Sequence, residues 1–174
     1  MDSIVFGGGC FWCVEAIFSR IKGVNSVVPG YSGGHTIDPT YKDVCLGGTG
    51  HAEVIKVEYD PEIIDLVKLF TVFFSTHDPT SLNRQGADVG TQYRSVIYYN
   101  SSDQRDIAIS AMNAASDVWV KKVVTQIEEL KKFYPAEDYH REYFESNTDE
   151  QYCSITISPK VAKFEKKFAE LLKE

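Results

Sequence analysis

The sequence of 174 residues lacks any apolar run long enough to cross a bilayer. It also lacks the basic and then apolar segment with which a secretory signal begins, since a strand-like stretch starts almost at once. No internal repeat, low-complexity tract or linker is visible. We therefore expect a single domain over residues 1–174, located in the cytoplasm and not at a membrane.

Positive charge is scarce, because 18 Lys and Arg against 25 Asp and Glu give a net charge of -7. This balance argues against nucleic acid and against an anionic membrane as partner. Only four cysteines are present, and without a signal segment we expect them to be reduced thiols. The hydrophobic fraction of 43%, in contrast, indicates a folded chain with a core of its own.

The sequence also lacks His, Cys and carboxylate residues at the spacing of a metal site. No histidine stands at a ligand spacing from a cysteine or a carboxylate, and Cys45 and Cys153 are isolated from the pair formed by Cys10 and Cys13. Structural zinc would need a second cysteine pair at close spacing, so we expect no metal and no bound cofactor. A nucleophilic Cys–His pair stays open, although for His140, which stands among aromatic residues, a structural role is favoured.

What the sequence does have begins at residues 4–6, an apolar run that predicts a strand. A run of three glycines at residues 7–9 then predicts a tight turn, and residues 11–21 have the apolar spacing of a helix. Cys10 falls at the start of that helix, where the partial positive charge favours the nucleophilic thiolate. With Cys13 it forms a C-x-x-C pair, so a thioredoxin-like dithiol and a single nucleophile resolved by another cysteine are both open.

A second candidate, Glu53, lies near the start of a strand predicted at residues 51–60. Alternation places Glu53 on the face that carries the apolar side chains, whereas Lys56 and Glu58 mark the opposite face as exposed. A carboxyl on the apolar face has a raised pKa and can act as a general acid near neutral pH. The spacing fits equally well with a carboxyl that reaches water at the open end of the strand.

The remaining pattern predicts strands and helices that alternate along the chain, joined by two long loops at residues 35–50 and 78–93. The predicted strands are residues 24–28, 94–99 and 123–130, and the predicted helices are residues 62–77, 103–122, 133–144 and 160–174, the last after an extended piece at 152–159. With only four or five strands, this order favours an α+β two-layer sandwich over a doubly wound parallel sheet.

Aromatic residues adjoin the candidate nucleophile. Phe11 and Trp12 follow Cys10 directly, and Tyr41 and Tyr93 lie in the two long loops. An apolar box beside a thiolate, with phenol donors and one protonatable carboxyl, suits a small neutral polar group attached to a methyl.

Seven short motifs, in order between residues 6 and 159, resemble the A-type peptide methionine sulfoxide reductases, the MsrA family. They are Gly9-Cys10-Phe11-Trp12 with Glu15, Gly30-Tyr31-Ser32-Gly33-Gly34, Pro39-Thr40-Tyr41, Gly50-His51-Ala52-Glu53, His77-Asp78-Pro79-Thr80, Gly90-Thr91-Gln92-Tyr93-Arg94-Ser95, and Glu137-Asp138-Tyr139-His140 with Tyr143.

The resemblance implies one catalytic domain that reduces the S epimer of methionine sulfoxide, free or in oxidised proteins. It implies a ferredoxin-like fold, or α/β plait, with long irregular loops and a C-terminal extension. By motif, Cys10 matches the nucleophile that attacks the sulfoxide sulfur, and Glu53 matches the acid that protonates the oxygen. The other implied roles are hydrogen bonds to that oxygen for Tyr41 and Tyr93, a methyl pocket for Phe11 and Trp12, and a pocket carboxylate for Asp88.

Recycling is where the sequence departs from the family, in which many members have Gly at the position of Cys13. The resemblance implies that a second thiol converts the sulfenic acid of Cys10 to a disulfide, which thioredoxin or another dithiol reduces. Cys153 is the preferred resolving thiol, and Cys13 is the alternative because positions i and i+3 of a first helical turn can come within disulfide reach. Cys45 is interpreted as structural.

Two other classes of function compete with this one. A general thiol–disulfide oxidoreductase would use the same C-x-x-C pair on protein disulfides. A redox-regulated binding module would react with oxidant at Cys10 without turnover of either substrate.

Overall fold

A six-stranded sheet carries the helices of this protein, whose computed structural model describes residues 1–174. The strands are β1 (Asp2–Gly7), β2 (Val24–Ser32), β3 (Ala52–Tyr59), β4 (Arg84–Gln85), β5 (Asp88–Val89), β6 (Val96–Tyr99), β7 (Gln126–Glu129) and β8 (Phe133–Pro135). The α-helices are α1 (Phe11–Phe18), α2 (Tyr41–Cys45), α3 (Leu66–Thr76), α4 (Ser102–Val118), α5 (Tyr143–Ser146) and α6 (Ser158–Lys167). A π-helix covers Cys153–Ile157, and 3-10 turns cover Thr91–Tyr93, Asp138–His140 and Ala169–Leu171.

The order of strands in the sheet is β7-β6-β1-β3-β2-β8, and β4 and β5 form a separate hairpin. All neighbours are antiparallel except β6 and β7. Because β1 runs antiparallel to β3 with Phe6 opposite Ile55, the end of β1 meets the beginning of β3. This register brings the segment after β1, which holds Cys10, to the strand end that holds Glu53.

The main core lies between the helices and one face of the sheet. The ring of Phe6 on β1 makes edge contacts with Phe18 of α1 and Phe73 of α3, with ring centroids 4.8 and 4.9 Å apart. The opposite face of the sheet holds a smaller buried cluster of Val5, Ala52, Val54, Val96 and Tyr98. The helices therefore pack on one face of the sheet and support the segment that holds Cys10 from that side.

The predicted α+β class is confirmed, although the main sheet has six strands where four or five are expected. The ferredoxin-like form of the fold and the single domain stay predictions. No helix is both long enough and apolar enough to cross a membrane, and the cytoplasmic location also stays a prediction.

Three expected elements are wrong in detail. Helix α3 begins at Leu66, because the amides of Ile63 and Ile64 bond back to Asp60 in a turn and Asp65 then caps the helix. Ile63 and Val67, which helical spacing assigns to the core, are accordingly exposed.

The start of the segment expected as a helix at 133–144 is strand β8, which pairs with the edge of β2. The segment expected to be extended at 152–159 is helical and buries Cys153 and Ile157 in the core. In both segments, contacts with distant parts of the chain outweigh the local preference.

Candidate active site

Cys10 is the N-cap residue of α1, as the sequence predicts. The turn before it needs glycine at two positions for steric reasons. A Cβ atom at Gly7 would lie 2.4 Å from the carbonyl oxygen of Glu53, and Gly9 has a φ of +99°. The glycines therefore let the Cys10 backbone approach β3 closely.

Glu53 points into the protein and is only 1% exposed, which confirms the interior placement over the water-exposed alternative. Its Oε1 accepts a hydrogen bond of 3.1 Å from the backbone N–H of Phe11, whereas its buried Oε2 has no partner. Burial raises the pKa of Glu53 to about 8, and the negative charge of Asp88 adds to the effect. The carboxyl therefore holds a proton at neutral pH, beside the nucleophile and with one oxygen atom free.

The thiol of Cys10 is also protonated at rest, which corrects the expectation of a thiolate at the helix start. Burial raises its pKa well above the ordinary range, and the Cys13 thiol and the charge of Glu53 raise it further. The backbone N–H of Trp12 acts in the opposite direction. At this site the loss of hydration raises the pKa of the thiol more than the start of the helix lowers it. The thiol would therefore have to lose its proton in order to react as a nucleophile.

Cys13 lies beside Cys10 in the first turn of α1, and both thiols are free. Contact with Cys10 lowers the pKa of Cys13, and the positive charge of Lys160 acts in the same direction. The Sγ of Cys13 is 3.9 Å from the hydroxyl of Tyr152, which donates a 2.7 Å hydrogen bond to Asp88. Asp88 is therefore joined to the Cys13 side of the site through Tyr152.

The other two cysteines are placed differently. Cys153 is fully buried in the π-helix, directly after Tyr152, and burial raises the pKa of its thiol. Cys45 ends α2 and is exposed, with its thiol beside the hydroxyl of Tyr41. Of the two candidate resolving thiols, Cys13 is the one in contact with Cys10.

Aromatic side chains surround Cys10 as the sequence predicts. Phe11 is fully buried, and Trp12 stacks on Tyr143 with ring centroids 3.8 Å apart and planes 8° apart. The indole N–H of Trp12 donates a 3.0 Å hydrogen bond to Nδ1 of His140. The ring of Tyr152 meets Trp12 edge-on at 6.0 Å. The indole is therefore held on three sides.

Tyr41 and Tyr93, from the two long loops, come to the same site. Tyr41 stacks on Phe11 with ring centroids 6.1 Å apart. Burial raises the pKa of each tyrosine, and the nearby Glu53 carboxyl raises it further once that carboxyl is ionised. Both hydroxyls therefore stay protonated and can serve as hydrogen-bond donors.

Two carboxylates that position the site are assigned no role by sequence reasoning. Glu137 accepts hydrogen bonds from the hydroxyl of Tyr31 at 2.9 Å and from the backbone N–H of Tyr41 at 3.0 Å. Glu15 accepts one from the backbone N–H of Glu142 at 2.9 Å. Both glutamates belong to the family motifs quoted from the sequence, and this was the signal that could have pointed to them. Their hydrogen-bond partners are more than 90 residues away in the chain.

The histidines of this region have structural contacts. His51 joins Gly34 and Thr36, and His77 joins Phe73 and Ser95. No group of three or more His, Cys, Asp and Glu side chains is arranged to hold a metal ion. The apolar groove between α3 and α4, of about 450 Å³, does not include Cys10 or Glu53. The groove is therefore separate from the cluster around Cys10.

Comparison with known proteins gives consistent matches over nearly the whole chain. The family model described as peptide methionine sulfoxide reductase matches residues 2–172. A peptide methionine sulfoxide reductase MsrA of Chromobacterium violaceum is 50% identical over 174 residues, which is 99% of each chain.

Among solved structures, reduced Mxr1 from Saccharomyces cerevisiae aligns with a TM-score of 0.81 at 36% identity, over 87% of this chain and 88% of that one. Mxr1 in complex with Trx2 aligns with a TM-score of 0.57 at 27% identity, over 82% and 84% of the two chains.

The raised pKa of Glu53 predicts a pH-dependent difference in stability between the wild type and Glu53→Gln. Between an unfolded-state pKa near 4.5 and the folded value of about 8, the folded state retains a proton that the unfolded state has lost. The stability of the wild type should therefore fall across this range by up to about 5 kcal/mol from this group alone.

Denaturant unfolding of both proteins from pH 5 to pH 8.5 measures this effect. The free energy of unfolding of Glu53→Gln, relative to wild type, should increase steadily with pH. A difference that is constant with pH would contradict the raised pKa.

Proposed function

This chain belongs to the peptide methionine sulfoxide reductase family and is a methionine sulfoxide reductase, and we propose that it acts on the S epimer, free or within oxidised proteins. The observation that carries the mechanism is the buried Oε2 of Glu53, which has no partner and belongs to a carboxyl protonated at neutral pH. An oxygen acceptor bound there would receive a proton directly beside the thiol of Cys10.

In the proposed first step, the sulfoxide oxygen binds against Glu53 and accepts hydrogen bonds from the hydroxyls of Tyr41 and Tyr93. Transfer of the Glu53 proton to that oxygen makes the sulfur electrophilic. The sulfur atom of Cys10 attacks, and the proton of its thiol returns to Glu53. The products are methionine and the sulfenic acid of Cys10, so one oxygen atom has moved from the substrate sulfur to the cysteine sulfur.

The proposed epimer preference follows from the separation of the polar and apolar sides of the site. If the oxygen faces Glu53 and the methyl group faces Phe11 and Trp12, the rest of the methionine chain must leave toward the solvent. With the sulfur facing Cys10, the other epimer can bind only if two of these three groups exchange positions. Exchange of the oxygen and the methyl group would place the methyl group against the carboxyl and leave the site's buried donors unpaired, which is costly.

We propose Cys13 as the thiol that resolves the sulfenic acid, with Cys153, preferred on sequence grounds, as the alternative. Cys13 touches Cys10 and has the lowered pKa that favours a nucleophile. Its attack on Cys10 forms the disulfide and releases the transferred oxygen as water. Cys153 is fully buried, and burial raises the pKa of its thiol, which makes it a weaker nucleophile than Cys13 at neutral pH.

We further propose thioredoxin as the external reductant, with no bound cofactor. The support is the likeness of this chain to Mxr1 in its complex with Trx2. A thioredoxin dithiol would reduce the disulfide by thiol–disulfide exchange and return both cysteines to the free state. The net negative charge is the basis for expecting neither nucleic acid nor membrane among the partners.

For the fold we propose a ferredoxin-like core within a single cytoplasmic domain. The support is the antiparallel order β6-β1-β3-β2, with α1 connecting β1 to β2 and α3 between β3 and β6. The long loops and the C-terminal helices would be additions that carry Tyr41, Tyr93 and Tyr152 to the site.

The function is tested by single-turnover reduction of each epimer of a methionine sulfoxide peptide, without external reductant. We expect the wild type to form about one equivalent of methionine from the S epimer and none from the R epimer. Cys10→Ser should form none, because the oxygen has no acceptor. Cys45→Ser, which removes an exposed thiol but keeps a hydroxyl beside Tyr41, is the control and should match the wild type.

Methionine formation by Cys10→Ser would contradict the assignment of the nucleophile. An enzyme that reduces insulin disulfides but neither epimer would support the general thiol–disulfide oxidoreductase, and one that turns over neither substrate would support the binding module.

The resolving thiol is tested by mass mapping of the disulfide formed after one turnover in wild type, Cys13→Ser and Cys153→Ser. We expect a Cys10–Cys13 disulfide in the wild type and in Cys153→Ser. In Cys13→Ser the methionine burst should persist while the sulfenic acid accumulates, detected by its reaction with dimedone. A disulfide between Cys10 and Cys153 in the wild type, with none between Cys10 and Cys13, would instead assign the role to Cys153.

A further inference from the structure

Glu15 is a second buried carboxyl near the site, and the proposed reaction does not use it. It lies on α1, three residues after Trp12, and is only 3% exposed. A buried carboxyl costs free energy unless it is well hydrogen-bonded. Burial raises the pKa of Glu15 to about 7, which shows that this cost is only partly offset. An apolar side chain of similar size would avoid it, so the buried hydrogen-bonding oxygen requires an explanation other than stability.

The partner of Glu15 is the backbone just before the short helix α5. Its Oε2 accepts a 2.9 Å hydrogen bond from the N–H of Glu142, and the N–H of Tyr143 also acts to stabilise the carboxylate. Glu142 has a φ of +53°, in the left-handed region that residues other than glycine rarely adopt. Such a conformation persists where surrounding contacts hold it, and Glu15 supplies one of these.

The residue that follows is Tyr143, whose ring lies flat on Trp12 at a centroid distance of 3.8 Å. Trp12 and Glu15 are three positions apart on α1, so they lie on the same side of the helix. Glu15 therefore contacts the backbone of Glu142, and the ring of the next residue, Tyr143, stacks on Trp12. Both ends of this chain of contacts lie on α1.

We propose that Glu15 is a positioning residue that holds Tyr143 on Trp12 and so fixes the indole wall of the substrate pocket. The proposal rests on the proposed role of Trp12 in binding the substrate. Glu15 itself contacts no reacting atom. Loss of its accepting oxygen should therefore weaken substrate binding and leave the chemical step at Cys10 almost unchanged.

Helix α5 has a second attachment at the end of α1, which provides a matched control. Arg20, in the turn after α1, donates a hydrogen bond to the carbonyl oxygen of Ala16. It also forms an ion pair with Glu145, and its guanidinium lies 5.6 Å from the ring centre of Phe144. This attachment joins α5 to the end of α1 without contacting the backbone before Tyr143. If Glu15 served only to join α5 to α1, removing the Arg20 ion pair would have the same effect on substrate binding.

The test compares KM and the saturating single-turnover rate for an S-epimer peptide in Glu15→Leu, Tyr143→Leu, the double variant and Arg20→Gln. We expect Glu15→Leu to raise KM about threefold to tenfold, the range that an aromatic stack of this kind is worth. The saturating rate should stay within about twofold of wild type. The double variant should have the KM of Tyr143→Leu alone, because Glu15 acts through that ring.

Arg20→Gln and Glu15→Gln should both keep KM within about twofold of wild type, the latter because an amide oxygen still accepts the Glu142 N–H. If Glu15→Leu does not fold, Glu15→Asp takes its place, since it keeps the charge but is one methylene too short to reach. An equal rise in KM for Arg20→Gln, or additive effects in the double variant, would overturn the proposal.

A second measurement does not depend on the activity. Trp12 and Trp119 are the only tryptophans, so a Trp119→Phe background isolates the fluorescence of Trp12. In that background, Glu15→Leu, or Glu15→Asp in its place, should shift and strengthen the Trp12 emission as Tyr143 leaves the indole. Unchanged emission would overturn the proposed contact even if the enzyme reduced no sulfoxide. A shift with no turnover would instead refute the proposed function alone.

Discussion

The site depends on the burial of one carboxyl at the point where the end of β1 meets the beginning of β3. Glu53 is held there by the N–H of Phe11, and the glycine at position 7 allows the two backbones to approach. Burial keeps the carboxyl protonated near neutral pH and leaves one oxygen without a partner. Burial also raises the pKa of Cys10, so the carboxyl and the thiol both rest in their neutral forms.

The parts around this centre come from distant regions of the chain and are joined by hydrogen bonds to buried or half-buried carboxylates. Glu137 connects the Tyr31 strand to the Tyr41 loop, and Asp88 connects the second loop to Tyr152. These bonds hold tyrosine residues in place around the thiols. The indole of Trp12 lies among the aromatic rings there, in contact with Tyr143 and Tyr152. The architecture is that of a cluster of aromatic side chains with a few placed polar groups among them.

Much of the site could be predicted because its signals are local. Strand alternation predicted that Glu53 points inward, and the strand–glycine–helix pattern predicted Cys10 at the start of α1. The protonated state of Cys10 could not be predicted, because it depends on desolvation by residues far away in sequence. For the same reason, β8 and the π-helix at Cys153–Ile157 were predicted wrongly, since the first exists by pairing with β2 and the second by packing into the core.

The central claim is that Glu53 carries a proton at neutral pH in the resting protein. Infrared difference spectra of wild type minus Glu53→Gln, recorded at pH 7 and at pH 9.5, test it directly. A protonated Glu53 should give the carbonyl band of a neutral carboxyl at pH 7, replaced by a carboxylate band at the higher pH. A carboxylate band already present at pH 7, with no carbonyl band, would contradict it.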